Sequence, residues 1–417
     1  MDAKMKNQIN LGIFCALLGA FAGTILWIFL KLVSEGTALI WEWLPERADL
    51  PLYTIAVCTF GGLLIGLLRK KYGDYPEELD VVLKKVKQEK RYDYKNMLIM
   101  IPAAILPLIF GSSVGPEAGM TGIIIGLCYW AGDNMKFAQN DAKAYSEIGT
   151  AVTLGVLFHS PLFGIFAVEE QENSSETPHI TRGSKIFLYG LALAAGTSCF
   201  MLLSRLFGAP MESFPSFPAE DNLVQKDYLM IAVYILIGCL LAGFYHLTHK
   251  CSHIAAAKIP PVLREILGGL CLGITGTLVS AVMFSGEEQM ALLMEEYTAF
   301  LPWALAGTAF LKILITNICI QSGLKGGHFF PLIFAGVCMG YAVAVFAFPQ
   351  SGSHVVLAAA VVTAALLGGI MKKPLAVTML LFLCFPAKMF IWIFLSALIG
   401  SKVYSIQLSS QTLSDAR

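Results

Sequence analysis

This sequence predicts an all-helical, polytopic membrane protein, and three observations carry that expectation. Of its 417 residues, 56% are hydrophobic and only 14% charged, against roughly 25% charged in a typical soluble domain. Mean hydropathy is +0.69. Apolar runs long enough to cross a hydrocarbon core of about 30 Å recur along the chain, among them "LGIFCALLGAFAGTILWIFL", "LYTIAVCTFGGLLIGLL", "YLMIAVYILIGCLLAGFY" and "VVLAAAVVTAALLGGIM". The polar breaks between runs are short, near 72–95, 131–146, 169–183, 209–227, 248–262 and 285–299, so a large soluble domain has nowhere to sit. One membrane domain over 1–417 is expected, with no regulatory domain after the short tail "SIQLSSQTLSDAR".

Charge orients the first elements. The formal net charge is zero, yet Lys4 and Lys6 are followed by a basic segment running from Arg69, Lys70 and Lys71 through Lys84, Lys85, Lys87, Lys90 and Arg91 to Lys95. That asymmetry places the N-terminus and segment 69–95 in the cytoplasm. Segment 204–227, with only Arg205 and Lys226 as basic residues, fits the outside. The first apolar run is too long for a signal-peptide core and lacks a cleavage site, so it reads as a retained helix. A multi-pass cell-membrane protein is expected. The ten cysteines are scattered singly with no C-x-x-C, which argues for packing residues rather than a disulfide framework.

The informative stretches are the broken ones. In "GSSVGPEAGMTG" (111–122) a carboxylate, Glu117, lies between two strongly apolar runs. Gly115-Pro116 reads as a helix start, with Pro at the first helical position. Glu117 then falls in the first turn, where unpaired amides and the helix dipole make an anion site. A tethered carboxylate can occupy such a site as a bound anion would, and can leave it when protonated. The alternative is a capping glutamate satisfied by its own backbone, but an ionisable residue at membrane depth is first of all a functional candidate. "KYGDYPEELDVVLKK" (71–85) is a second helix start, with ordinary acidic capping at Glu77 and Glu78. "LKGGHFFPLIFAG" (324–336) is a third, where His328 alone reads as a polar residue at a helix end. "HSPLFGIFAVEE" ends in Glu169 and Glu170, either a solvated helix end or, if one acid turns inward, a proton route towards Glu117.

A faint internal repeat links these stretches. "GPEAG" is followed by "HSPLFGIFAVEE" and "GGHFFP" by "KKPLAVTMLLF"; Gly115 precedes Pro161 by 46 residues, and Gly327 precedes Pro374 by 47. Paired interrupted segments in two halves point to a transporter site. The halves expected are about 1–205 and about 225–405.

Taken in order, the motifs resemble the CLC family of chloride channels and chloride/proton antiporters. "YGDYPE" (72–77) stands where that family has G-S-G-I-P, and "GPEAG" (115–119) where it has G-R-E-G-P. "HSPLFGIFAVEE" is similar to N-A-P-L-A-G-x-x-F-x-x-E-E, "GHFFP" (327–331) to G-x-F-x-P, and "GSKVYS" (400–405) to G-K-P-L-Y-S. The resemblance spans about Tyr72 to Ser405. It implies a CLC-like fold with two inverted-topology halves and broken helices, a homodimer with one pore per subunit, and no enzymatic activity, cofactor or nucleic-acid partner. Glu117 matches the gating glutamate, Tyr404 the anion-coordinating tyrosine, and His328 and Phe329 the central amide donors. Glu170 matches the internal proton glutamate with one deletion; a gap-free count from Pro161 lands on Gln171. The family function is transport of a small monovalent anion, chloride first, by exchange with protons. A passive voltage- or pH-gated channel and an exporter of fluoride or another anion are the rivals.

Two departures bear on the site. Pro116 replaces the gating motif's arginine. Counting back from Pro76, the family's coordinating serine falls on Gly73 and the next glycine on Asp74, so a hydroxyl is lost and a negative charge gained near the central site. Weak, poorly discriminating anion binding is expected, and a non-transporting sensor is a further rival.

Three other features carry weaker signals. "HLTHKCSH" offers His246, His249, Cys251 and His253, of zinc-binding types, but this spacing on one helix does not converge on one ion, and no metal is expected. Lys312 either compensates a buried acid or faces a watery vestibule. "GSSVG" (111–115) formally fits G-x-S-x-G, but that motif needs a strand before Ser113, and an apolar helix precedes it.

Overall fold

The computed structural model describes residues 3–46, 52–77, 81–82, 92–134, 142–158, 160–169, 182–210, 216–219, 225–348, 354–382 and 384–414. Fifteen α-helices run through them. The first half holds α1 (Ala3–Ala38), α2 (Tyr53–Tyr72), α3 (Met97–Ile109), α4 (Glu117–Asn134), α5 (Ala142–Leu157), α6 (Pro161–Glu169) and α7 (Arg182–Phe207). The second holds α8 (Gln225–Ala257), α9 (Leu263–Leu278), α10 (Glu287–Glu296), α11 (Pro302–Ser322), α12 (Phe329–Ala347), α13 (Val355–Met371), α14 (Pro374–Phe382) and α15 (Phe390–Ser414). Among the described residues, seven helical segments are long and apolar enough to cross a bilayer, as the hydropathy pattern predicts. Large apolar side chains remain exposed along them, including Leu17, Phe187, Leu240 and Ile391.

Small residues let these helices approach closely, since apolar burial drives little association in lipid. Gly19 and Gly23 of α1 press on Ala192 and Gly196 of α7. A Cβ built on Gly19 would lie 2.0 Å from the Ala192 carbonyl oxygen, and one on Gly23 2.3 Å from that of Gly196. The centre of the second half is α13, buried from Val355 to Gly369 and packed by α8, α12 and α15.

The repeat read from the sequence appears as reciprocal contacts. Gly115 donates its amide to the Gly327 carbonyl at 2.8 Å, and Gly327 returns the bond to Gly115 at 2.7 Å. The two Pro-Leu helices, α6 and α14, also pack on each other. Ser160, just before Pro161, donates its hydroxyl to the Met379 carbonyl at 2.8 Å. Lys373, just before Pro374, donates to the Ala167 carbonyl at 2.8 Å. Each break thus meets its counterpart, which is the contact pattern a two-fold relation between halves produces.

Candidate anion gate

Glu117 opens α4, directly after the Gly115–Gly327 bridge. Its Oε1 accepts the backbone N–H of Phe329, the first residue of α12, at 2.8 Å. The carboxylate therefore lies across the N-terminus of a helix from the other half, where free amides and the dipole favour negative charge. The side chain is 1% exposed, and Oε2 accepts no hydrogen bond from the described residues. Two glycines make the room. A Cβ on Gly327 would lie 1.8 Å from the Glu117 carboxyl carbon, and one on Gly115 2.1 Å from Oε2.

A buried aromatic wall backs the carboxylate. Phe158 stacks on Phe330 with ring centroids 4.4 Å apart, and Phe163 meets both Phe158 and Phe329 edge-on. All four rings are buried, so the electrostatic interactions beside them are weakly screened. A cleft of about 740 Å³ reaches Val114 and Pro116, just before Glu117; Glu42, Glu287 and Glu288 line it. Of these acids, Glu287 and Glu288 fall in the polar break 285–299, where the Gly-led helix start "SGEEQM" is their sequence signal.

The other expected site residues lie as follows. Gly73 is the C-cap of α2 with φ +103°, a conformation that favours glycine, so a backbone requirement accounts for it. Asp74 is 60% exposed and bonds to Arg69 and to Lys325, the latter at 2.9 Å. Burial opposes its ionisation, but the charges of Lys325 and Arg69 outweigh that and hold its carboxyl below the ordinary value. The added negative charge is thus compensated by two cations. Arg69 also pairs with Glu265, itself 1% exposed and bonded by Arg264 at 3.1 Å, which ties α2 to α9 on the basic face.

Tyr404 lies within α15, where its hydroxyl donates to the Cys239 carbonyl at 2.6 Å and its ring meets His246. The contacts bring it to α8; none of them joins it to Glu117. His328 is the N-cap of α12 and packs against Tyr245 and Phe329. Glu170 and Gln171 lie outside the described residues, as does the side chain of Glu169.

Among the described residues Lys312 neither meets a buried acid nor faces a vestibule. Its Nζ reaches the carbonyls of Ala281, Val282, Met283 and Phe284 at 3.3, 3.2, 2.9 and 2.8 Å, fixing the loop that leads to α10. Ser113 shares a 3.0 Å hydrogen bond with the Thr316 hydroxyl, which supplies no base. The three imidazoles of "HLTHKCSH" reach two partners: His246 the Gly369 carbonyl, and His249 and His253 the two ends of Gln321.

The family description "Voltage gated chloride channel" matches residues 61–405. The chain belongs to that family. It is accordingly a multi-pass membrane protein of CLC-type anion transport. Proteins named for ion transport, YfeO of Escherichia coli and of Escherichia fergusonii, are 26% identical over 353 residues, 82% of this chain and 80% of each relative. The fold is similar to a crystal structure of a CLC-type fluoride/proton antiporter, with a TM-score of 0.73, 20% identity and 95% of both chains covered. A slow cyanobacterial chloride/proton antiporter gives 0.72 at 17% identity over all of both chains.

Proposed function

We propose that this chain exchanges a small monovalent anion, chloride or fluoride, for protons, with Glu117 as both gate and proton carrier. The observation that carries this reading is the Glu117 carboxylate seated on the Phe329 amide. Ionised, it fills an anion position at a helix N-terminus and blocks it. Protonated, it loses the charge-assisted part of that bond, and a mobile anion then competes for the same amide. One site serves anion or carboxylate in turn, which couples anion movement to proton movement. The two structural relatives described as antiporters support this reading. Glu170 as inner proton donor and a homodimeric assembly belong to the same proposal.

The test is reconstitution into liposomes with a pH dye inside. An imposed anion gradient should drive protons against their own gradient. Anion current with no proton movement at any pH would make the protein a passive channel.

A further inference from the structure

Asp74 is seated as a bound anion would be. Its Oδ2 accepts from Lys325 Nζ at 2.9 Å, and its Oδ1 accepts from Arg69 Nη2. The two donors are held in place by the fold. The Arg69 side chain is 7% exposed and that of Lys325 17%, against 60% for Asp74. Arg69 is fixed from behind, where its Nη1 bonds to the buried Glu265. Glu265 in turn accepts from Arg264 at 3.1 Å and from the Val262 amide at 2.7 Å. Gly323, with φ +101°, makes the room, because a Cβ there would fall on Arg69 Nη1. Three cations thus meet two carboxylates, and the carboxylate facing solvent is the one that covers Arg69 and Lys325.

The cluster stands at the inner approach to the gate. Arg69 closes α2 together with Lys70 and Lys71, a basic run of the kind that marks the cytoplasmic end of a span. Lys325 comes four residues before Phe329, whose amide holds Glu117, so at most about 14 Å of chain separates the two. Gly326, between them, presses on the break that carries Glu117. A Cβ built on it would lie 2.5 Å from Val114 Cγ2 and 2.8 Å from the Gly115 carbonyl oxygen.

We propose that Arg69 and Lys325 form a cytoplasmic entry site for the transported anion, a small monovalent one such as chloride or fluoride, with the Asp74 carboxylate as its resident competitor. An arriving anion takes the two donors as Asp74 turns into solvent, and the carboxylate returns once the anion moves inward. Partly buried cations at such a mouth also raise the local anion concentration. Lys325 and Arg69 keep the Asp74 carboxyl ionised near neutrality, so Asp74 yields to an anion, whereas Glu117 yields on protonation. A passive channel would use the same entry site, so the inference goes beyond the antiport reading and does not rest on it.

The experiment measures uptake of chloride and of fluoride, each in turn, into inverted and right-side-out membrane vesicles from cells producing the full chain. Inverted vesicles present the cytoplasmic face, and the half-saturating concentration and maximal rate are read separately. Asp74→Asn keeps the shape of the side chain and removes its charge, while Arg69 stays paired with Glu265. It should lower the half-saturating concentration at the cytoplasmic face about three- to tenfold, the range of one charge at a partly exposed site, with little change at the other face. Asp74→Ala, which retains no group to bond either cation, should repeat that result. Lys325→Gln should raise the half-saturating concentration by a similar factor, and Lys325→Arg should keep it near that of the unmodified chain. Asp74→Asn combined with Lys325→Gln should lose the gain of the first change. A purely structural tie would lower the maximal rate or the yield of folded protein and leave the half-saturating concentration where it was. That outcome, or a shift of equal size at both faces, would overturn the entry site.

Discussion

The carboxylate of Glu117 accepts the amide hydrogen of Phe329 at 2.8 Å across 212 residues of sequence. The donor is the first residue of α12, so the bond joins one half's broken helix to the start of the other's. A hydrogen bond to a charged acceptor contributes about 1.5–3 kcal/mol, against about 0.5–1.5 kcal/mol for a neutral one. Protonation therefore changes the balance between carboxylate and mobile anion at this amide.

Anion binding should rise when the competitor is removed. Glu117→Ala frees the Phe329 amide, and calorimetric titration with chloride or fluoride should show affinity about tenfold or more above that of the unmodified chain. Equal affinities would mean that anion and carboxylate use different amides.

Gly327→Ala should act through the same carboxylate. Its methyl would fall on the Glu117 carboxyl carbon, so the side chain must leave its place. Overpacking of this kind costs about 1–3 kcal/mol. Thermal unfolding should show that loss, and anion leak should rise in liposomes; a variant with normal gating would show that Glu117 does not need this seat.

Arg69→Ala removes the main partner of a glutamate only 1% exposed. Arg264 stays at 3.1 Å and keeps that charge paired, so the loss is that of one charge-assisted hydrogen bond, about 1.5–3 kcal/mol, read by denaturation in detergent. Asp74→Asn at an exposed site should cost no more than about 1 kcal/mol. Because the Asp74 carboxyl is held below its ordinary 3.8, its contribution is complete above that value. It disappears as pH falls through the depressed one. The Asp74→Asn difference should therefore shrink in strong acid and stay constant near neutrality.

Lys312→Met should be more damaging than its place in an apolar helix suggests. Four carbonyls would lose their common donor, and a buried unsatisfied group costs about 1–3 kcal/mol. Low yield of folded protein and a displaced α10, seen as new labelling of cysteines placed at Glu288, are the expected results.

The fold was legible because hydropathy, basic segments and glycine-proline breaks each follow from the bilayer's demands on a single chain. The repeat was legible too, since Gly115, Pro161, Gly327 and Pro374 keep their spacing. Side-chain partners were not. Asp74 next to the expected site looked like an obstacle, and only folding brings Lys325 to it from 251 residues away. Gly73 looked like a lost hydroxyl until its positive φ supplied another reason for glycine. The motif aligned Tyr404 in sequence but says nothing of where a ring in mid-helix turns. Gln321 carries no motif at all, and its two imidazole partners appear only in the fold.

The central claim is that one carboxylate both closes the anion path and carries the proton, and Glu117→Gln tests it most directly. The substitution keeps the shape and one hydrogen-bond acceptor while removing charge and titration. Anion and proton fluxes should be recorded together in the same liposomes, beside the unmodified chain. The account predicts anion flux that persists, loses its dependence on pH and drives no protons. Proton movement coupled to anion flux at the unmodified ratio in Glu117→Gln would contradict it.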